Sequence, residues 1–110
     1  MYTSLLKNLI YCFIVITISF TSLKAQNISF TTDVSQGCNS LNVNFTNTSN
    51  LGSYDPLALR FIWYFGDGTQ DTGLHANHFY SYAGDFFPFL SVEDTNGFYI
   101  GSFSSQIKVK

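Results

Sequence analysis

The chain has 110 residues, of which 45% are hydrophobic, 18% aromatic and only 11% charged. This length accommodates a single domain. Five basic side chains stand against seven acidic ones, for a net charge of −2. So few cations form no basic surface, which argues against binding to nucleic acid or to an anionic membrane.

Residues 1–25 have the order of a secretory signal peptide. Lys7 precedes an apolar stretch from Leu9 to Phe20, and a short polar segment then ends at Ala25. A membrane-spanning helix needs about 20 apolar residues, so export with cleavage is favoured over a retained anchor. Cys12 lacks the preceding small residue of a lipoprotein site. We therefore expect a secreted or cell-envelope protein whose mature domain is residues 26–110.

The predicted mature domain has a net charge of −4, because it keeps three basic and seven acidic side chains. Its one cysteine, Cys38, cannot form an internal disulfide, so the domain must fold by packing alone. We expect Cys38 to be a buried or half-buried free thiol, with an intermolecular bridge as the alternative.

The mature chain is predicted to be all-β, with no helical periodicity. Short alternating segments are separated by turns rich in Gly, Asn and Asp. This pattern predicts an immunoglobulin-like antiparallel β-sandwich of about seven strands. The expected strands span 28–31, 41–45, 59–65, one or two short stretches within 70–78, then 86–92 and 103–109.

The aromatic strand at 59–65 is expected to pass through the centre of the sandwich. Alternation directs Phe61, Trp63 and Phe65 to one side and Ile62 and Tyr64 to the other. The buried Trp of an immunoglobulin-like sandwich fills the space between its sheets. The predicted core consists of Phe45, Phe61, Trp63, Phe65, Phe86 and Leu90.

Three blocks of this sequence resemble the PKD (polycystic kidney disease) domain, bacterial cell-surface type. The run 63–69, Trp-Tyr-Phe-Gly-Asp-Gly-Thr, is similar to the family's W-x-F-G-D-G-T, and 78–80 and 84–94 follow the later motifs. The resemblance implies a non-catalytic spacer or binding module, so we expect no enzyme. It also implies a structural motif formed by Trp63, Phe65, Gly66, Asp67, Gly68, His78 and Tyr80.

Pro88 departs from the family pattern, which usually has Val at this position. Proline has no N–H for the strand ladder and belongs at edges or bulges. We predict a bulge or a missing ladder bond at Pro88.

Two metal sites were weighed against purely structural roles. His75 and His78 could bind zinc with Asp67 and Asp71, but a spacing of three outside a helix does not reliably bring two imidazoles together. Asp67 could bind calcium with Asp71 or Asp94, although no segment has the acidic density of a calcium loop. We expect no cofactor, a turn-capping Asp67 and a His78 that hydrogen-bonds across the sandwich edge.

The candidate binding surface is the face opposite Trp63. Strict alternation directs Ile62, Tyr64, Phe87 and Phe89 outward on two neighbouring strands. Such a patch predicts a protein or glycan partner, a neighbouring domain or a second copy, unless the chain's own loops cover it. The function expected is adhesion, interaction or spacing. The alternatives are a carbohydrate- or protein-binding accessory domain of an exported hydrolase and a calcium-dependent module.

Overall fold

A computed structural model describes residues 26–110, which form an all-β domain. The predicted signal peptide lies outside the described residues. Pro56–Ala58 forms a short 3-10 turn, and no helix within residues 26–110 is long and apolar enough to cross a membrane. The strands are β1 Phe30–Thr32, β2 Gln36–Gly37, β3 Leu41–Asn47, β4 Leu59–Tyr64, β5 Gln70–Thr72, β6 Ala76–Tyr80, β7 Gly84–Phe86, β8 Phe89–Asp94, β9 Tyr99–Ser104 and β10 Ile107–Val109.

The strands form the two layers of a sandwich and a small sheet at one end. One layer has the order β1-β3-β6 and the other β5-β4-β8-β9, while β2-β10-β7 forms the end sheet. All pairings are antiparallel except β2 with β10. The predicted immunoglobulin-like sandwich is confirmed.

The ten short strands correspond to seven longer ones. The segment with β1 and β2 changes sheets, since β1 pairs with β3 and β2 with β10. Strands β7 and β8 continue one ladder against β10 and β9, because Phe86 lies opposite Ile107 and Phe89 opposite Ser104 in an unchanged register. When the interrupted strands are joined, the topology has the seven strands that the sequence predicts.

The interruption between β7 and β8 lies at Pro88, as predicted. Ser105 N donates to Pro88 O at 3.0 Å, but proline has no N–H to return the second bond of this pair. The side chain of Pro88 is fully buried. The defect is therefore a missing ladder bond and not a bulge.

The core lies between the two layers around Trp63, which is 1% exposed. The Trp63 ring packs against Phe30 and Phe45, with centroid distances of 5.2 and 5.6 Å. All six residues predicted for the core are buried. The further buried hydrophobic residues are Ile28, Phe30, Val43, Tyr80, Val92, Ile107 and Val109.

The predicted end strands differ from those observed. The first strand begins at Phe30 and not at residue 28, and upstream of it Asn27 forms an isolated bridge with Asn50. The predicted strand 103–109 is two strands, and the first of them begins earlier, at Tyr99. The earlier start follows from the β8–β9 hairpin, in which Tyr99 pairs with Glu93 beyond the Asp94–Gly97 turn.

The expectation of a buried or half-buried Cys38 is wrong. Its thiol is free and exposed. Cys38 lies in the tight reversal between β2 and β3, where Ser40 N donates to Cys38 O at 2.8 Å and Asn39 adopts φ 68°. A residue in such a reversal is directed away from the sheets, and Leu41 is the neighbour that packs against the core.

Candidate functional site

The Gly-Asp-Gly turn after β4 is held by the carboxylate of Asp67. Its Oδ1 accepts the Thr69 backbone N–H at 3.1 Å and also contacts the Thr69 hydroxyl. Gly66 and Gly68 on either side have φ of 85° and 91°, which glycine adopts without steric cost. The predicted role of Asp67 as a turn residue is confirmed.

His78 connects this turn to the opposite layer. From β6, its Nε2 lies 2.7 Å from Asp67 Oδ2, and its ring stacks on Phe65 with centroids 4.1 Å apart. Two residues later, the Tyr80 hydroxyl donates to Phe65 O at 2.8 Å. The predicted hydrogen bond of His78 across the sandwich edge is confirmed, and these motif residues join the two layers.

The surroundings of Asp67 and Tyr80 shift the pKa values of these two groups in opposite directions. Burial raises the pKa of Asp67, but the hydrogen bonds from Thr69 and His78 together outweigh burial and hold that pKa below its ordinary value. Burial, and then the negative charge of Asp67, raise the pKa of the Tyr80 phenol. Both directions keep Asp67 ionised and Tyr80 protonated at neutral pH.

The carboxylates weighed as metal ligands bind backbone N–H groups instead. Asp71 Oδ1 accepts from Thr72 N at 2.8 Å, and Asp94 Oδ1 accepts from Asn96 N at 2.9 Å. No group of three or more His, Cys, Asp or Glu side chains able to hold a metal ion occurs within residues 26–110. This part of the chain offers no ligand cluster for the zinc and calcium alternatives.

The outer face of the four-stranded sheet carries an aromatic pair. Tyr64 on β4 lies directly opposite Phe89 on β8, and their rings stack with centroids 4.6 Å apart and planes inclined by 15°. Phe89 is 38% exposed, while Tyr64 and Ile62 are half-buried. We refer to Ile62, Tyr64 and Phe89 as the outer patch.

Phe87, the fourth residue predicted for this surface, lies beyond the Pro88 interruption and is 57% exposed. Its backbone lies against the Gly-Asp-Gly turn, where a Cβ added to Gly66 would come within 2.8 Å of Phe87 N. Three of the four predicted residues therefore share the paired part of the face, and Phe87 lies at its edge.

Polar side chains surround the outer patch on the same face. Beside the aromatic pair, Gln70 is opposite Tyr64 and Ser104 is opposite Phe89. The next row along the strands contains Ile62 with polar neighbours on both sides. Those neighbours are Thr72, Ser91 and Ser102. The aromatic pair is thus bordered by hydroxyl and amide groups able to donate and accept hydrogen bonds.

A second exposed apolar surface was missed at the sequence level. The β3–β4, β5–β6 and β8–β9 connections meet at one end of the sandwich, since Leu59 pairs with Asp94 and Gly73 N bonds to Phe61 O. We refer to it as the loop end. Its exposed apolar residues are Tyr54 (43%), Leu57 (92%), Leu74 (50%), Phe98 (69%) and Tyr99 (68%).

The sequence feature that could have predicted this surface is the presence of large apolar residues inside turn segments. Leu57 follows Asp-Pro, and Phe98 follows Asn-Gly, both of which are turn sequences. Loop residues of this kind have no place in a strand core and mark an exposed apolar surface.

Comparisons with known proteins agree with this architecture. The family model of the PKD domain matches residues 25–109. The PKD1 domain of the Vibrio cholerae metalloprotease PrtV is similar, at 26% identity and a TM-score of 0.63 over 79% of this chain and 99% of that domain. The PKD1 domain of Vibrio anguillarum Epp has 23% identity and a TM-score of 0.54 over 79% of this chain and 98% of that domain, which shows likeness of fold.

A further similar structure comes from work on carbohydrate-binding modules of the β-sandwich superfamily and their promiscuous specificity. It shares 26% identity and a TM-score of 0.64 with this chain, and 79% of this chain is covered. The chain spans only 35% of that larger one. No curated protein matches the chain. On the match of the family model to nearly all of residues 26–110, the chain belongs to the PKD domain family.

Proposed function

We propose that this chain is a non-catalytic interaction module of a secreted or cell-surface protein, and that it binds through the outer patch. The observation that carries the proposal is the stacked Tyr64–Phe89 pair on an exposed sheet face. The predicted signal peptide supports export. Membership of the PKD family and the resemblance to the PKD1 domain of a bacterial metalloprotease support an accessory role.

The outer patch has the properties of a pre-organised contact surface. Both rings project from paired strands and support each other by stacking, so little side-chain freedom is lost when a partner covers them. An exposed apolar patch rimmed by polar groups is typical of an interaction site. The same pair also stabilises the sheet, and the experiment below separates this effect from binding.

Carbohydrate is the second candidate ligand, and two observations favour it. Stacking covers one face of each ring, and the other faces are directed along the row toward Gln70 and Ser104, whose polar groups match sugar hydroxyls. The similarity to a structure studied for carbohydrate-binding modules points the same way. A sugar ring could then pack on the free face of Phe89 or Tyr64. Such binding would suit an accessory domain that holds an exported hydrolase on its carbohydrate substrate.

A glycan array probed with residues 26–110 tests carbohydrate binding and its assignment to the outer patch. We expect the double variant Tyr64→Thr, Phe89→Thr to lose the binding that the wild type shows, and Phe87→Thr to reduce it less. Phe79→Thr is the matched control, because Phe79 is 55% exposed but lies on β6 in the other sheet. Circular dichroism verifies that each variant is folded.

Parallel arms separate the remaining alternatives. Sedimentation velocity detects self-association through the same face, and EDTA or added calcium distinguishes a calcium-dependent module. A folded double variant that binds and associates like the wild type would overturn the assignment to the outer patch. A wild type that binds no glycan and stays monomeric at high concentration would favour the spacer function.

A further inference from the structure

A groove of about 350 Å³ opens at the loop end, and none of the three outer-patch residues lines it. Pro56 and Leu57 form one wall, and Gly73 and Leu74 form the other. Leu59 and Phe61 contribute further apolar lining, and Arg60 and Thr72 are the polar residues of the lining. The lining is therefore mostly aliphatic and aromatic, as in sites that accept an apolar side chain.

Two large aliphatic side chains at the rim of the groove are exposed to solvent. The side chain of Leu57 is 92% exposed and that of Leu74 is 50% exposed. Neither leucine belongs to the buried core cluster of the sandwich. Because two large aliphatic side chains at the opening of an apolar groove have little role in folding, they are suited to contact another molecule.

Both walls are held in place by hydrogen bonds. Asp55 Oδ1 accepts Leu57 N at 3.0 Å and caps the 3-10 turn that begins at Pro56. On the other side, Trp63 Nε1 donates to Gly73 O at 2.8 Å, and Gly73 N donates to Phe61 O at 3.1 Å. The groove is thus formed before any ligand arrives, which reduces the ordering cost of binding.

The charges around the groove define the partner further. Arg60 is the one charged residue among the described residues that line the groove, and its guanidinium is paired with Glu93 at 3.1 Å. Asp55 and Asp94, in the connections at this end, form no salt bridge among the described residues. The other two cations of residues 26–110 are Lys108, in β10 of the end sheet, and Lys110, just after that strand. The loop end is therefore apolar with excess negative charge, and its electrostatic complement is cationic.

We propose that this groove binds a short peptide segment of another protein in which a large aliphatic or aromatic side chain lies next to Lys or Arg. The apolar side chain enters between Leu57 and Leu74, and the cation lies against Asp55 or Asp94. An anionic bilayer is disfavoured by the net charge of the domain. Two copies meeting loop end to loop end are disfavoured by repulsion between their like charges.

This proposal is independent of binding through the outer patch, since it rests on different residues. Its probe is a set of three labelled synthetic octapeptides measured by fluorescence anisotropy against residues 26–110. One carries Leu between two Lys residues, the second replaces Leu by Ser, and the third replaces both Lys by Glu. We expect the first to bind at least about tenfold more tightly than either other peptide, with affinity falling as salt is raised.

Variants at the rim identify the site. Leu57→Ser changes a side chain that makes almost no packing contacts within the domain. It should lower the affinity for the first peptide at least about tenfold. Asp94→Asn retains a side-chain oxygen for the turn while removing the charge, and should weaken binding severalfold and flatten its salt dependence. Phe79→Ser is the matched control, because Phe79 is 55% exposed on β6 in the other sheet and its loss should leave peptide binding unchanged.

Several results would overturn the proposal. Equal affinity for the three peptides, no binding of the first peptide, or full binding by folded Leu57→Ser would each reject it. Self-association of the wild type that Leu57→Ser abolishes would make a second copy the occupant. Binding to neutral phosphatidylcholine vesicles that depends on Leu57 would make lipid the occupant. Loss of peptide binding in the Tyr64→Thr, Phe89→Thr variant would show that the two surfaces are not independent.

Discussion

The imidazole of His78 lies flat against the ring of Phe65, with centroids 4.1 Å apart and planes inclined by 2°. The two residues belong to opposite layers, since Phe65 follows β4 and His78 lies in β6. The same imidazole contacts the carboxylate of Asp67 through Nε2 at 2.7 Å. The His78 side chain thus makes both an aromatic contact with Phe65 and a polar contact with Asp67 between the two layers.

The first prediction concerns the coupling between Asp67 and His78. His78→Ala removes the stack and leaves one Asp67 oxygen without its partner, so we expect the free energy of unfolding to fall by about 1.5–3 kcal/mol. Asp67→Asn should cost about 1–2 kcal/mol. Urea denaturation of both single variants and the double variant measures the coupling. Strictly additive losses would show that the contact contributes nothing.

The second prediction is the pH dependence of this contact. In the folded domain, hydrogen bonds from Thr69 and His78 outweigh burial and lower the pKa of Asp67 below its ordinary value of 3.8. A depressed carboxylate pKa adds stability that is fully present above the unfolded value and is lost as pH falls through the folded one. The stability difference between wild type and Asp67→Asn should therefore shrink as the pH falls below 3.8. A difference that stays constant or grows on acidification would contradict this assignment.

The alternation of apolar residues was sufficient to predict the interior. In β4, every second side chain faces the other layer, and Phe61 and Trp63 are buried while Ile62 and Tyr64 are half-buried on the outside. Pro88 has no backbone N–H, so a missing ladder bond can likewise be predicted at this position without knowing where the strand lies in the sheet. Such features follow from the covalent chemistry of single residues and from a period of two.

Features that depend on contacts between distant segments could not be predicted in this way. The exposure of Cys38 depends on the reversal after β2, and that strand exists only because it pairs with the distant β10. The groove at the loop end requires Leu57 and Leu74 to line one cavity although they belong to different connections. The stacking of Tyr64 on Phe89 requires the register of β4 against β8, whereas the sequence predicts only that both face outward.

The third prediction concerns Trp63, which contributes both packing and a hydrogen bond. Trp63→Ala should lower the free energy of unfolding by about 3–5 kcal/mol, because the ring is 1% exposed and leaves a cavity between the layers. Trp63→Phe keeps an aromatic ring but not the bond to Gly73 O, so it should cost less. Urea denaturation followed by circular dichroism measures both losses. A loss below about 1 kcal/mol for the alanine variant would contradict the central role of this ring.

The fourth prediction is that Pro88→Val restores the interrupted ladder. Ser105 N already donates to Pro88 O, and a backbone N–H at position 88 faces Ser105 O in the same pair. We expect the new amide to exchange slowly with solvent in hydrogen-exchange NMR, as a hydrogen-bonded amide of a paired strand should. Stability should change by less than about 1 kcal/mol, since the gained bond offsets the lost rigidity of proline. Rapid exchange of amide 88 in a folded variant would show that the segment is held open by other contacts.

The fifth prediction separates backbone strain from steric conflict in the Gly-Asp-Gly turn. Gly66 and Gly68 have nearly the same φ, 85° and 91°, so an L-residue is strained by about 1–2 kcal/mol at either position. A Cβ at Gly68 meets nothing within 4 Å, whereas one at Gly66 comes within 2.8 Å of Phe87 N. Gly66→Ala should therefore destabilise the domain clearly more than Gly68→Ala, which is its matched control. Urea denaturation compares them, and equal losses would mean that the chain at Phe87 moves away from the turn without cost.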